Sequence, residues 1–458
     1  MKKKTDTVKV IIFAALGLAA AAAVLVFFFL VTDVPAVRYE KVPATVKSVM
    51  KAHECTFFDD AGNKTETLKN LLRSGTNSLG SMLALGADGN LYLAKSSGVT
   101  KLDTGVSGAQ IFGLAGSSDT AFYEKDRKIY RSSGSPEQIG ELTGSDLFLV
   151  VSPDGSSAVW GESVRNEQKI YAYRNGSTEE LTGADSVFAV GCDGTVYGQK
   201  KSQLVLCEAG SAVFVEVCGC DSVKAVSPDC TQILFTDGTP PYTFVFDSAA
   251  KSRIPVFSGT VKPFIPAGMK QEQDGFGLFI GEAVDNAGGS AALMQFERNG
   301  SGYRQRKLLD LDKASFYTIS ADGRKLLYVK GSKLIMKGTA GSFAKETVIA
   351  ENVFDFFTEP SLGSIYFRDT ANGLYWTDGG APVKISLNVG AACMTTDGVC
   401  TFASNGILYW SENGSAPTEC SGIGTVRMLS RDTAVSEDNI QFITNDGKNY
   451  INTDIALF

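Results

Sequence analysis

The residues available for chemistry are few. The only histidine is His53, in "KAHECTFFDD". A Ser-His-Asp or Cys-His arrangement would have to use this one imidazole, and a general base must lie within hydrogen-bond reach of the reacting group. One histidine also cannot build a multi-histidine metal centre. His53 therefore reads as an exposed or partly packed residue at the start of the main domain. Paired carboxylates are the other route to acid–base chemistry, as in glycoside hydrolysis. Asp88, Asp154, Asp193, Asp229, Asp322 and Asp397 recur in similar short segments. An aspartate in a tight turn accepts local backbone hydrogen bonds, and that role is expected for these six. "DLDK" at 310–313 and "DDAGNKTE" at 59–66 lack the alternating oxygen ligands and terminal glutamate of an EF-hand, so solvated turns are expected there. No Gly-Lys-Ser/Thr loop lies between a strand and a helix, and no dinucleotide fingerprint is present. No catalytic, cofactor-binding or metal-binding residue is assigned, and the binding residues are unknown.

Nine cysteines cannot all pair within one chain: Cys55, Cys192, Cys207, Cys218, Cys220, Cys230, Cys393, Cys400 and Cys420. "CGC" at 218–220 has one intervening residue instead of the two to four usual in zinc sites. Disulfides suit an oxidising compartment, whereas buried thiols behave as small apolar groups. Cys393 and Cys400 flank "MTTDGV". A two-residue turn at Thr396 and Asp397 would place them opposite each other, while a turn at Asp397 and Gly398 would shift that register by one residue. Cys230 is odd because it replaces a turn glycine. Either its turn avoids positive φ, or a contact offsets the strain, and a bond to Cys192 on the neighbouring repeat is one such contact.

The elements that carry these residues are repeated hairpins. "VSPDGSSAVW" at 151–160, "VSPDCTQILF" at 226–235 and "ISADGRKLLY" at 319–328 each join apolar strands through a tight polar turn. "LALGADGNLYLA", "FAVGCDGTVYG" and "CMTTDGVCTF" are looser copies. Weaker ones occupy the long gaps, near Ser118, Asp274 and Ser361. Second strands follow as "KIYAYRNG", "KLIMKG" and "ILYWSENG". Period-two patterning with Asn-Gly and Asp-Gly turns favours hairpins over helices. Four-stranded antiparallel units repeated every ~35–45 residues suggest propeller blades. A two-layer β-sandwich is the alternative. Ser152-Pro153-Asp154-Gly155 with Ala158-Val159-Trp160, Ser227-Pro228-Asp229 with Ile233-Leu234-Phe235, and Ser320 with Asp322-Gly323 and Leu326-Leu327-Tyr328 resemble the WD40-like repeats of bacterial TolB-type propellers. The third copy has Ala321 where the others have proline. The resemblance implies blade turns and an interaction module or an enzyme's accessory domain, and it does not imply an active site. The expected fold is all-β: a propeller of eight blades, with seven to ten compatible. The N-terminal segment at 55–70 reads as strand, turn, strand, and is expected to share one blade with the C-terminal strands.

Residues 11–31 carry no charge and follow Lys2, Lys3, Lys4 and Lys9. About 20 apolar residues span a bilayer, and preceding positive charge keeps the short tail in the cytoplasm. The expected layout is a tail at 1–10, a transmembrane signal anchor at 11–31, a juxtamembrane linker at 32–43 and an extracytoplasmic domain at 44–458. This makes the chain a single-pass protein of the cell membrane. A formal charge of −7 offers no general attraction to nucleic acid. Four N-glycosylation sequons begin at Asn63, Asn175, Asn299 and Asn413, where Asn-Gly also suits turns. The expected function is a membrane-tethered interaction or scaffold module whose partner is an extracytoplasmic protein or an envelope glycan. A carboxylate-dependent hydrolase or lyase is the alternative. The interval 261–309 exceeds the minimal turns elsewhere, which makes it the expected partner-binding face.

Overall fold

The computed structural model describes residues 35–43, 48–51, 54–59, 63–107, 110–272, 275–339, 345–430, 433–438, 440–444, 448 and 450–456. His53 and the span at 11–31 lie outside them. Among the described residues no helix is long and apolar enough to cross a membrane.

The chain is all-β. A three-stranded N-terminal sheet (Ser48–Lys51, Glu54–Phe58, Lys64–Leu68) precedes ten four-stranded antiparallel sheets, numbered here 1 to 10 in chain order. Within each, strands A to D follow one another in sequence. Sheet 3 is representative, with Ser145–Val151, Ala158–Val164, Glu167–Arg174 and Ser177–Leu181. Sheet 6 alone inserts a further strand, Met269–Gln271, between A and B.

The B strands explain the stacking. Their apolar runs are continuous: "AVW", "ILF", "LLYV". Alternation would leave one face polar, whereas an unbroken run is what a strand buried on both faces requires. In sheet 3, Ala158 and Trp160 pack towards Phe122 and Ile129 of sheet 2, while Val159 packs towards Val190 and Val196 of sheet 4. In sheet 7, Leu326 and Tyr328 meet Ile280 and Leu293 of sheet 6, while Leu327 and Val329 meet Ile365 and Phe367 of sheet 8. The same arrangement joins each sheet to the next along the whole chain, including the N-terminal sheet to sheet 1. The core is therefore a series of separate interfaces between neighbouring sheets.

A second regularity lies at the start of the A strands. In eight of the ten, the A–B pairing slips by one residue there, leaving an extra residue on strand A. Such a bulge re-aims one side chain out of the ladder.

Two expectations are corrected. Asp88 does not sit in the same turn as its supposed sisters. It lies between strands B and C of sheet 1, as Asp369 does in sheet 8, at the end opposite the A–B turns. Asn77 takes the A–B turn of sheet 1 instead, accepting from Leu79 N–H and Ser81 N–H. Among the described residues the two chain ends also do not share a sheet. The segment at 55–70 does form strand, turn, strand, but it pairs with Ser48–Lys51, while residues 426–456 supply a full four strands to sheet 10. Tyr450–Ala456 lies near Ser48–Lys51, with no ladder between them among the described residues. Each end finds enough strands nearby, so neither needs the other to cover its edges.

Trp160 is 1% exposed at the interface of sheets 2 and 3. Trp160→Ala should destabilise the protein by about 3–5 kcal/mol, the range for deleting a large buried aromatic, as measured by chemical denaturation.

Candidate docking face at the A–B turns

The A–B turns are built by one set of hydrogen bonds. Ser152, Ser227 and Ser320 donate their hydroxyls to Asp154, Asp229 and Asp322, at 2.8, 2.5 and 2.5 Å. Each aspartate also accepts the N–H two residues on, from Ser156, Thr231 and Arg324. Each serine oxygen accepts the N–H that opens strand B, from Ser157, Gln232 and Lys325. Burial alone would raise these carboxyls, but the donors outweigh it and hold Asp154, Asp229 and Asp322 below the usual range. Asp193 makes the corresponding turn bonds, accepting from the Thr195 N–H and hydroxyl. Sheet 8 substitutes a glutamate: Glu359 accepts from Ser361, Gly363 and Ser364 N–H groups, which also lower it against the opposing effect of burial. These carboxylates serve as turn locks, and they are not arranged as a free acid–base pair.

Cys230 keeps the glycine geometry. Its φ is +58°, beside +72° for Gly155 and +66° for Gly323, and its N–H reaches Ser227 O at 2.8 Å. The turn has not moved away from positive φ. Instead the side chain packs into the apolar interface of sheets 4 and 5, near Ala189, Tyr197 and Phe235, and this burial offsets the backbone strain. Burial, with nearby Cys192, Asp229 and Asp193, pushes the thiol up to about 12.

No disulfide joins the nine cysteines among the described residues. The Cys192–Cys230 bond is absent. The turn of sheet 9 runs from Thr395 to Gly398, so Cys393 stands opposite Thr401 and Cys400 opposite Met394. Adjacent strand residues point to opposite faces, which directs Cys400 into the core and Cys393 towards Ser430 O at 3.1 Å. The remaining motifs are local turns. Asp310 pairs with Lys313 at 3.2 Å, and Asp59 accepts from Asn63 at 2.7 Å. Asn175 and Asn413 occupy positive-φ turn positions. No group of three metal-ligating side chains occurs among the described residues.

What lies across these turns is the chain's own N-terminal segment, a feature missed in the sequence. Tyr39–Lys41 forms a strand paired antiparallel with Met269–Gln271, Tyr39 opposite Gln271 and Lys41 opposite Met269. The interval expected to face a partner thus receives a segment expected to be a linker. Val37 and Tyr39 are 0% and 4% exposed and join the core of sheets 6 and 7. Backbone bonds fix the path: Gln295 Nε2 donates to Pro35 O at 2.8 Å, Tyr39 N–H to Ala321 O at 2.8 Å, and Glu272 N–H to Arg38 O at 2.9 Å. Lys41 meets Asp397 at 2.5 Å, an exposed pair that adds little stability. The signal available in the sequence was the alternation Val37, Arg38, Tyr39, Glu40 in "AVRYEK".

The strap also explains two residues. Ala321 stands where sister turns have proline because its N–H donates to Pro360 O at 2.6 Å, linking the turns of sheets 7 and 8. Proline has no such donor. Gly323 sits under the strap: a Cβ there would lie 1.9 Å from Val37 O. Beside the strap is a cleft of about 530 Å³, bounded by Tyr39, Lys41, Glu359, Ser361, Asp397 and Asn413. Both of its carboxylates are engaged, Glu359 by turn N–H groups and Asp397 by Lys41.

Gly323→Ala should expose residues 35–43 to hydrogen exchange and proteolysis. Gly155→Ala, at the same turn position, carries the positive-φ penalty but meets only the Thr120 side chain, and should leave the strap protected. Because the turn carboxyls titrate lower when folded than unfolded, their stabilisation is present above the ordinary carboxylate pKa of about 4 and is lost as pH falls through the lowered values. Asp154→Asn should therefore reduce the steepness of acid unfolding between about pH 4 and pH 2, followed by circular dichroism.

No protein-family profile matches the chain, and no curated protein matches it. Among solved structures, it is similar to PorZ, described as an essential bacterial surface component of the type-IX secretion system of Porphyromonas gingivalis. That similarity has a TM-score of 0.28 and 8% identity, over 88% of this chain and 63% of that one. It is also similar to a chain from the crystal structure of a eukaryotic initiation factor, at a TM-score of 0.34 and 12% identity, over 72% of this chain and 93% of that one. The chain spans less than two thirds of the PorZ chain.

Proposed function

We propose that this protein is a membrane-tethered extracytoplasmic β-propeller that acts as an interaction or scaffold module. Residues 11–31 serve as a single-pass signal anchor with the N-terminus in the cytoplasm, and an extracytoplasmic protein or envelope glycan is the partner. The observation that carries this reading is the docked strap. Residues 32–34 alone separate the apolar span from Pro35, whose carbonyl is already bound by Gln295. A tether that short, ending in a strand that crosses the turns of sheets 6 to 9, would fix the body's orientation on the membrane. Sheets stacked in chain order support propeller blades, and ten four-stranded units support the top of the seven-to-ten range above the expected eight. Carboxylates held in turns and ion pairs favour a binding module over a hydrolase.

The reading is tested on the full chain in native membranes. Intact protein should stay in the membrane fraction with its first residues retained, and residues after 31 should be cut by externally added protease. A mature N-terminus beyond residue 31 would overturn the anchor. Photo-crosslinkers placed at both ends of the sheets should capture a discrete partner from one end. Glycosidase or lyase turnover without any crosslink would overturn the module.

A further inference from the structure

The strap is a strand with one edge used and the other partly open. Pairing with Met269–Gln271 engages alternate residues: Glu272 N–H donates to Arg38 O at 2.9 Å, and Val42 N–H to Gly268 O at 3.1 Å. In an antiparallel pair the residues between them turn their N–H and C=O groups the other way, so those of Tyr39 and Lys41 face outward. Tyr39 N–H closes onto Ala321 O at 2.8 Å. Beyond that bond the cleft of about 530 Å³ opens between the strap and the turns of sheets 8 and 9. Among the described residues no hydrogen bond reaches Tyr39 C=O, Lys41 N–H or Lys41 C=O. Tyr39 is 4% exposed, so its carbonyl has little bulk water to turn to, and an unpaired backbone group there costs free energy.

The lining indicates what fills this cleft. Its far wall adds two groups without partners among the described residues, the Thr396 hydroxyl and the Asn413 side-chain amide. Its charged members are Glu359, Asp397 and Lys41, a balance that disfavours an acidic occupant. Its large apolar members, Tyr39 and Met269, are packed into the core of sheets 6 and 7, which leaves no ring face on which a sugar could stack. The cleft therefore offers backbone donors and acceptors along a strand edge, with small polar side chains opposite. An extended peptide is the ligand whose own alternating N–H and C=O groups match such an edge. The strap is the precedent, since Met269–Gln271 already pairs with a segment remote in sequence. We infer that the open edge of the strap is a strand-addition site. An extended, non-acidic segment of a partner protein pairs there with Tyr39 C=O and with Lys41 N–H and C=O, while Thr396 and Asn413 hold it from the far wall. The inference rests on the interaction-module reading and names the partner class and its place.

The probe is a phage-displayed library of random peptides, selected on the full chain in detergent micelles. Enriched peptides should protect the Lys41 amide from hydrogen exchange and lose binding when N-methylated at alternate backbone positions. Lys41→Pro is the discriminating variant. Proline removes the outward N–H and blocks the edge with its ring, while the bonds to Met269–Gln271 come from the flanking residues and survive. Affinity should fall at least about tenfold, the loss of a hydrogen bond together with a steric block. Lys41→Ala removes only the exposed pair with Asp397 and should cost about twofold. Hydrogen exchange at Val37 and Tyr39 checks that the strap stays docked in both. If Lys41→Pro frees the strap, Thr396→Ala/Asn413→Gly carries the test from the far wall and should weaken the same peptides about threefold or more. Asn413 sits at φ +48°, where glycine is unstrained. Peptides that bind all variants equally would overturn this edge and leave the interaction-module reading to its own crosslinking test. Equal losses for Lys41→Ala and Lys41→Pro would assign recognition to the lysine charge and overturn strand addition. Enrichment of no peptide would overturn the peptide assignment.

Discussion

Burial of each B strand on both faces is the constraint on which the rest depends. A sheet with one apolar face needs one neighbour, but a sheet with two needs one on each side. Val159 and Trp160, adjacent in sequence, must therefore satisfy different sheets. Repeated along the chain, this requirement forces a serial stack and leaves open the two ends of every sheet and the outer D strands, where Val215, Val348 and Val383 are exposed. Stability is then distributed over many interfaces of similar size, and each is sensitive to a local change.

The two ends are finished differently. At the A–B turns, serine and aspartate or glutamate side chains saturate the backbone, which makes the turns rigid and polar. Rigidity there is what allows the strap to be read by a backbone hydrogen bond, since Ala321 O must stand at a fixed position to accept the Tyr39 N–H, and the bond from Ala321 N–H to Pro360 O helps hold it there. At the opposite end the A strands bulge, and side chains such as Leu72, Phe316 and Phe354 emerge about half open to solvent. A segment bound at one end and an apolar row open at the other give the body a polarity that the repeat itself lacks.

Exceptions to the repeat mark the places where the chain does something besides stack. Ala321 departs from proline because a donor is needed between turns. Cys230 departs from glycine because the space beside it is apolar and close enough to accept a side chain. Phe316 departs from the conformations open to large residues, and it does so in solvent. Each departure is legible as an oddity, and its reason lies in a neighbour far away in sequence.

The sequence by itself determined the all-β class, the hairpin unit and the role of the turn aspartates, because these depend on period-two patterning and on hydrogen bonds spanning five residues or fewer. The continuous apolar B strands carried a further signal, burial on both faces, that the period-two reading passed over. Only the tertiary structure decided which turns are equivalent, since Asp88-Gly89 and Asp154-Gly155 look alike locally but join different strand pairs. It also decided the register at Cys393, where one residue's slip sends the thiol to the other face, and the separation of the two terminal sheets. The strap was the least legible feature. Tyr39 and Gln271 lie far apart in the chain, and strand pairing across that distance leaves no local spacing to read, because backbone hydrogen bonds are the same for almost any side chain.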